Sequence, residues 1–335
     1  MKILIVPKNY LGDTILATPL IVNLVRRYPQ AEIWVLTNAH AAQLLVREDL
    51  LTGIVTYDRH GRDRGLGGLL RMARRLGPLG FDRVYALQRS PRTAALLFLS
   101  RIPQRIGFAN APLSFLYTRA HSFSPGKHEV QRNLELLAGD IAQHDLEPAL
   151  KLVPPACNDL DKALSRVIPR AGTYAVMVPG SSWPTKRWHW QGYRDVARFL
   201  VHREIPVVLD GAPGDRDLNA RVGCGLALTN LAGRSGVADA MYLIGHAALV
   251  ICNDSMALHL ASALKVPCVA IFCATSPSKG FGPWRNRAVV VQDETLGCRP
   301  CGRHGGHQCP TSSKALCREV DSQMVIRAVQ TLLAR

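Results

Sequence analysis

The sequence predicts an α/β chain built as two doubly wound, Rossmann-like domains facing across a cleft. Short apolar runs alternate with helix-length amphipathic segments from one end to the other, which argues for parallel sheets covered on both faces. At 335 residues the chain is too long for one small core and suits two domains. The alternation lapses once, near 148–172, in the Pro-containing EPALKLVPPACNDL and VIPRAGT, and then restarts.

In the first half, ILIVP (3–7), EIWVLT (32–37), GIVTY (53–57), RVYAL (83–87) and RIGF (105–108) read as strands. Helical patterns lie at about 13–28, 40–47, 66–76, 91–100 and 129–143. After the lapse, YAVMV (174–178), VVLD (207–210), ALTNL (227–231), ALVIC (248–252), PCVAIF (267–272) and AVVVQ (288–292) read as strands. Helices fit at about 191–203, 214–222, 237–246 and 255–264, and a helical tail begins near 320. The expected domains are 1–155 and 173–318, with a C-terminal helix over 319–335 able to pack on either.

Composition narrows the function classes. Hydrophobic content of 47% is that of a globular chain. No apolar run approaches the roughly 20 residues that cross a bilayer. The opening MKILIVPKNYLGD has one Lys before a short apolar core, so it reads as a strand rather than a signal peptide, and a cytoplasmic location is expected. The balance of 41 basic to 25 acidic residues, +16, favours an anionic partner. Between Arg59 and Arg92 nine Arg stand against Asp63 and Asp82. Most of these are solvated side chains, but a run this one-sided suggests that part of it faces an anionic surface.

In open parallel sheets, ligands bind beyond the C-terminal ends of strands, at loops leading into helices. Three such loops carry chemistry. Asn253-Asp254-Ser255 stops an apolar strand and starts a helix, whose first-turn amides and dipole make an anion site. Taken alone, Asp254 or Ser255 reads as a helix cap and His259, one turn on, as a core histidine. VPGSSWPTKRWHW (178–190) offers Ser181, Ser182 and Thr185 hydroxyls with Lys186 and Arg187 charge, a set suited to a diphosphate. PKNYLGDTILATP (7–19) puts Gly12 at a tight turn and Asp13 at or just before a helix start. Across a cleft from a phosphate site, Asp13 suits general-base activation of a hydroxyl. There is no GxxxxGK[ST] and no well-placed GxGxxG, so neither a P-loop ATPase nor a dinucleotide oxidoreductase is supported.

LGDTILATPLIVNLVRRYPQAEIWVLT, PGSSWPTKRW, NDSMALHLASALKVPCVAIFCATSP and FGPW (281–284) together resemble glycosyltransferase family nine, the bacterial heptosyltransferases of the lipopolysaccharide inner core. The resemblance covers nearly the whole chain. It implies a GT-B fold with an N-terminal acceptor domain, a C-terminal nucleotide-sugar domain and a last helix returning to the first. It further implies Asp13 as catalytic base, and Ser181, Ser182, Lys186, Asp254, Ser255 and His259 at the donor. An acid on the donor ribose would be Asp215 or Asp217. Met256 stands where the family has Gly, narrowing the space over the phosphates or the sugar.

The reaction so implied is one inverting displacement. A nucleotide-diphosphate sugar, ADP-heptose first among candidates, would sit on the second domain with Thr185 and Met256 beside it. Lys186, loop hydroxyls and helix amides would stabilise the leaving diphosphate, so no cofactor is expected for catalysis. The acceptor would be an anionic lipid-linked oligosaccharide, met by Gly12, Lys8, Arg59, Arg62, Arg64, Arg89 and Arg92. The enzyme would be peripheral on the inner face of the cytoplasmic membrane. Another nucleotide-sugar donor, or a protein acceptor, would use the same scaffold.

Cys298, Cys301, Cys309 and Cys317 form C-x2-C-x7-C-x7-C, with His304 and His307 inside. Four thiolates at knuckle-like spacing suit a structural Zn or Fe site; the equal alternative is a group of reduced thiols. A nucleic-acid-binding protein with a zinc knuckle is the rival from another class. It is disfavoured because no recognition-helix or RNP-type motif accompanies the charge.

Overall fold

The computed structural model describes residues 1–302, 304–311 and 315–334. The chain divides into two units, Met1–Val153 and Pro154–Arg335.

The first unit runs β1 (Lys2–Val6), α1 (Leu11–Ile15), α2 (Thr18–Arg27), β2 (Glu32–Thr37), α3 (Ala39–Leu45), β3 (Gly53–Thr56), α4 (Gly65–Leu76), β4 (Arg83–Ala86), α5 (Pro91–Leu99), β5 (Gln104–Phe108), β6 (Arg119–His121) and α6 (Glu129–Glu135). Its six strands are all parallel, in the order β3-β2-β1-β4-β5-β6. The register pairs Leu4 with Trp34 and Val84, which places β1 at the centre. β1 and β4 are apolar runs buried along most of their length, as strands covered on both faces must be.

Two helices differ from expectation. The pattern over 13–28 is split into α1 and α2 at Leu16-Ala17. Pro19 has no N–H to give to Ile15, four residues back, and the Thr18 hydroxyl bonds the Ile15 carbonyl instead, at 2.8 Å. The pattern over 129–143 ends as α6 at Glu135: the amides of Leu136, Leu137 and Ala138 bond three residues back, and Gly139 then turns left-handed (φ 86°). Asp140 then reaches back to Arg83, Arg119 and Tyr85. The edge strand β6, RAH, has no apolar run and escaped the sequence reading.

The second unit runs α7 (Lys162–Ser165), β7 (Ala175–Val178), α8 (Trp190–Val201), β8 (Val207–Leu209), α9 (Arg216–Gly223), β9 (Thr229–Asn230), α10 (Val237–Gly245), β10 (Leu249–Asn253), α11 (Met256–Ala263), β11 (Cys268–Phe272), β12 (Ala288–Gln292) and α12 (Ser322–Leu333). The sheet order, β12-β11-β10-β7-β8-β9, is again all parallel. Counted from its own first strand, this is the strand order of the first unit. Each sheet therefore reverses direction at one place: between β1 and β4, and between β7 and β10.

α12 packs inside the second unit, its Val325, Ile326, Val329 and Leu332 joining the core with Trp188, Tyr193 and Ile251. The resemblance implied a helix returning to the first domain; the packing found for it is against the sheet and α8 of its own unit. Arg335, the last residue of the predicted tail, lies outside the described residues, as do 312–314 of the predicted second domain.

Candidate functional site

In the first unit the site is built where β1 and β4 end. β1 gives way to Pro7-Lys8-Asn9, and α1 begins with Tyr10 as its N-cap. Asp13 is therefore the third residue of α1, inside the helix and not its cap. Its carboxylate is buried, at 9% exposure, and Lys8 Nζ stands 3.7 Å from Oδ1. Lys8 also pairs closely with Glu129, the first residue of α6. Glu129 Oε2 in turn accepts from Arg132 Nε at 2.9 Å and pairs with Nη2 at 2.8 Å. The result is a chain of alternating charge, Asp13–Lys8–Glu129–Arg132, with the last pair 1% and 2% exposed.

Burying an ion pair costs desolvation that the attraction only partly returns, so this chain is poorly explained as a stabilising device. Arg132 is further held by the Pro125 carbonyl at 2.9 Å and lies over the Phe123 ring, 5.3 Å from its centroid. Arg89, in the loop after β4, stacks on the same ring at 3.9 Å. Glu129, Arg132 and Phe123 were not singled out from sequence. They come from a part of the chain more than a hundred residues from Asp13, and no local motif marks them.

The predicted acceptor residues separate by what they already hold. Lys8, Gly12 and Arg89 lie at the ends of β1 and β4 with Asp13. Arg59 Nη1 donates to Gln88 Oε1 at 2.9 Å, and burial pulls its guanidinium pKa below the usual value. Arg92 is engaged with its own chain, bonding the Tyr57 hydroxyl (2.8 Å) and the carbonyls of Gly65 (2.8 Å) and Asp63 (2.6 Å). It builds the turn before α4. Arg62 and Arg64 are exposed at that same turn.

In the second unit, the loops after β7 and β10 meet. Lys186 Nζ pairs with Asp254 Oδ2 at 2.7 Å, and the Thr275 hydroxyl donates to the same oxygen at 2.7 Å. Asn253, fully buried, ties the two loops together. Its Nδ2 donates to the Pro179 carbonyl at 2.7 Å, and its Oδ1 accepts from the Trp188 amide at 3.0 Å. Asn253 and Thr275 are positioning residues that sequence reasoning did not assign; the signal for Asn253 was its place at the last position of a buried strand.

Ser255 is the N-cap of α11 but makes no capping bond. Its hydroxyl oxygen is buried without a hydrogen-bond partner among the described residues. A buried unpartnered hydroxyl beside free helix amides is what an anionic ligand at that position would satisfy. Met256 follows as the first residue of α11, half-buried, and His259 is buried within the helix.

The remaining predicted donor residues fall around the same loops. Ser181 is half-buried and Ser182 exposed. Asp215 is buried against Gly180, which leaves no room there for a β-carbon, and stands 3.7 Å from Arg187 Nη2. Asp217 is exposed in the first turn of α9. Thr185 is buried and bonded to Gly306: its hydroxyl donates to the carbonyl at 2.9 Å and accepts from the amide at 2.8 Å. Its hydroxyl thus builds the loop instead of lying open to a donor.

Of the two readings of the four cysteines, the metal site finds no support: among the described residues no group of three or more His, Cys, Asp or Glu side chains could hold a metal ion. Cys317 is buried in the apolar core of the second unit while Cys298 is exposed. Burial first, and then neighbouring thiols, push the Cys317 thiol up to about 11.

A sequence profile described as glycosyltransferase family 9 (heptosyltransferase) matches residues 69–310. The chain belongs to this family. This glycosyltransferase is 28% identical over 313 residues to lipopolysaccharide heptosyltransferase 2 of Salmonella typhimurium, covering 87% of the chain and 88% of the relative. It is 26% identical over 315 residues to lipopolysaccharide heptosyltransferase 1 of Pseudomonas aeruginosa, covering 90% and 86%. Among solved structures, E. coli ADP-heptose lipopolysaccharide heptosyltransferase II superposes with a TM-score of 0.79 at 25% identity, over 99% of this chain and 98% of that one. The family 9 glycosyl transferase of Veillonella parvula gives a TM-score of 0.83 at 21% identity, over 99% and 97%. The two Rossmann-type units are the GT-B fold.

Proposed function

We propose that this glycosyltransferase moves heptose from ADP-heptose onto a hydroxyl of a lipopolysaccharide core acceptor, in one inverting displacement. The observation that carries the reading is the constellation at β7 and β10: Lys186 held on Asp254, beside an unpartnered buried Ser255 hydroxyl at the start of α11. A diphosphate seated there would meet a cation, hydroxyls and helix amides. The names of the relatives supply the sugar and the acceptor class.

In this reading Asp13 accepts the proton of the acceptor hydroxyl as its oxygen attacks the anomeric carbon. The bond from that carbon to the diphosphate breaks, and the growing charge is met by Lys186, Ser181, Ser182, Ser255 and the α11 amides. Asp215, at the turn after β8, is assigned to the donor's ribose, and Met256 and His259 line the donor. Lys8, Gly12, Arg62, Arg64 and Arg89 are assigned to the anionic acceptor. The enzyme works at the cytoplasmic face of the inner membrane, where a lipid-linked acceptor would be found. Among the described residues no helix is long and apolar enough to cross a membrane.

The test compares ADP-, UDP- and GDP-heptose as donors, and Asp13→Ala with the wild type. ADP should raise the melting temperature of both proteins equally, while the variant loses on the order of 10³-fold in kcat. Near-normal turnover in the variant would remove Asp13 from the base role. Preference for UDP- or GDP-heptose would overturn the donor.

A further inference from the structure

The first unit carries an interaction surface that neither the donor nor the base accounts for. Between Asp82 and Glu129 the chain has no acidic residue and seven basic ones, six Arg and Lys127. Large apolar side chains are left exposed in the same region: Phe98, Leu99, Leu113 and Phe115, all four of the stretch.

They come together. Leu96 and Leu97 of α5 face the core, while Phe98 and Leu99 in its last turn are exposed. The Arg105 guanidinium lies 5.6 Å from the Phe98 ring centroid, and its Nε donates to the Leu116 carbonyl at 2.7 Å. One cation thus joins the end of α5 to the 3₁₀ turn Ser114–Leu116. At the start of that turn Leu113 is held left-handed (φ 61°), a conformation an L side chain rarely adopts, and Phe115 projects with 79% of its surface exposed. Arg101, also left-handed (φ 55°), ends the α5 side of the same patch. The backbone is strained on both sides of a feature that puts two aromatic rings in water.

We propose that Phe98, Leu99, Leu113 and Phe115, ringed by Arg101 and Arg105, dock this protein on an anionic lipid bilayer. Side chains of this kind gain by entering the boundary between headgroups and acyl chains, and the cations beside them meet lipid phosphates. Charge complementarity selects the occupant, since a stretch of chain without acidic residues, carrying Arg101 and Arg105 beside the apolar side chains, is matched to a negative sheet of phosphates. Aliphatic and aromatic side chains together give a nucleic acid backbone nothing to bind. The inference deepens the membrane part of the proposed function and rests on it only for which membrane is meant.

The test is co-sedimentation of the full chain with phosphatidylcholine vesicles, pure or with about 30% phosphatidylglycerol. The wild type should partition onto the anionic vesicles and be released as salt is raised. The double variant Phe98→Ser/Phe115→Ser should partition about tenfold less. Arg101→Asn, which suits the left-handed backbone, should lose about fivefold. Both variants should melt with the wild type and keep its turnover on a soluble acceptor, which separates this proposal from the assignment of the reaction. Equal sedimentation with and without the anionic lipid would overturn it, as would a double variant that binds like the wild type. Retention of duplex DNA by the wild type, with no vesicle binding, would give the surface to nucleic acid.

Discussion

Glu129 holds Lys8 on one oxygen and Arg132 on the other, and Lys8 stands 3.7 Å from the proposed base. Removing the charge at Glu129 takes a carboxylate away from both Lys8 and the buried Arg132. Glu129→Gln should therefore lower kcat by about tenfold with donor KM unchanged, and Glu129→Asp should recover part of the loss. Equal losses in both would mark a merely structural role. Lys186→Met acts on the other term, leaving Asp254 buried without its cation; ADP affinity should fall by about a hundredfold in calorimetry.

Asp210, at the end of β8, behaves differently. Burial raises its carboxyl to about 6, against the opposing bonds from Ser235 and the Gly211 amide. A folded-state value above the unfolded one means that its stabilising effect is full below about pH 4 and lost as pH rises through about 6. Asp210→Asn should gain on the wild type by on the order of 3 kcal/mol in urea unfolding between pH 4 and pH 7.

At the scale of elements, strands were legible wherever an apolar run had to be buried on two faces, which is why β2 and β11 fall where expected, to within a residue. Boundaries failed where the backbone's bonding changed: Pro19 split one helix, and amides bonding three residues back ended another. The loops of the site were legible because polar residues directly after apolar strands stand out. The ion pairs were not, because Lys186 with Asp254 and Lys8 with Glu129 join parts of the chain that only the sheet order brings together. Asp140 shows what a long-range pair does for an element. Burial pulls its carboxyl up, but the Arg119 and Tyr85 bonds and the Arg83 charge outweigh it and hold the pKa below the usual range. That stabilisation is present above the unfolded pKa and lost as pH falls. Asp140→Asn should cost about 3 kcal/mol at neutral pH and less at pH 3 in the same unfolding measurement.

For the whole molecule, one strand order used twice gives two reversal points, and each unit places polar residues at its own. Hydrogen exchange should register this division. ADP should slow exchange in 178–187 and 253–259 and leave 7–13 unaffected, and protection spread evenly over both units would contradict it.

Thr185 has a further consequence. By bonding Gly306, 121 positions away, through its amide as well as its hydroxyl, it fastens the strip of backbone that carries Lys186. The disorder such a strip would otherwise surrender on meeting its ligand has already been removed during folding. A valine at this position would keep the shape and loosen the fastening, so donor capture would turn entropically costlier while the lysine stayed in place.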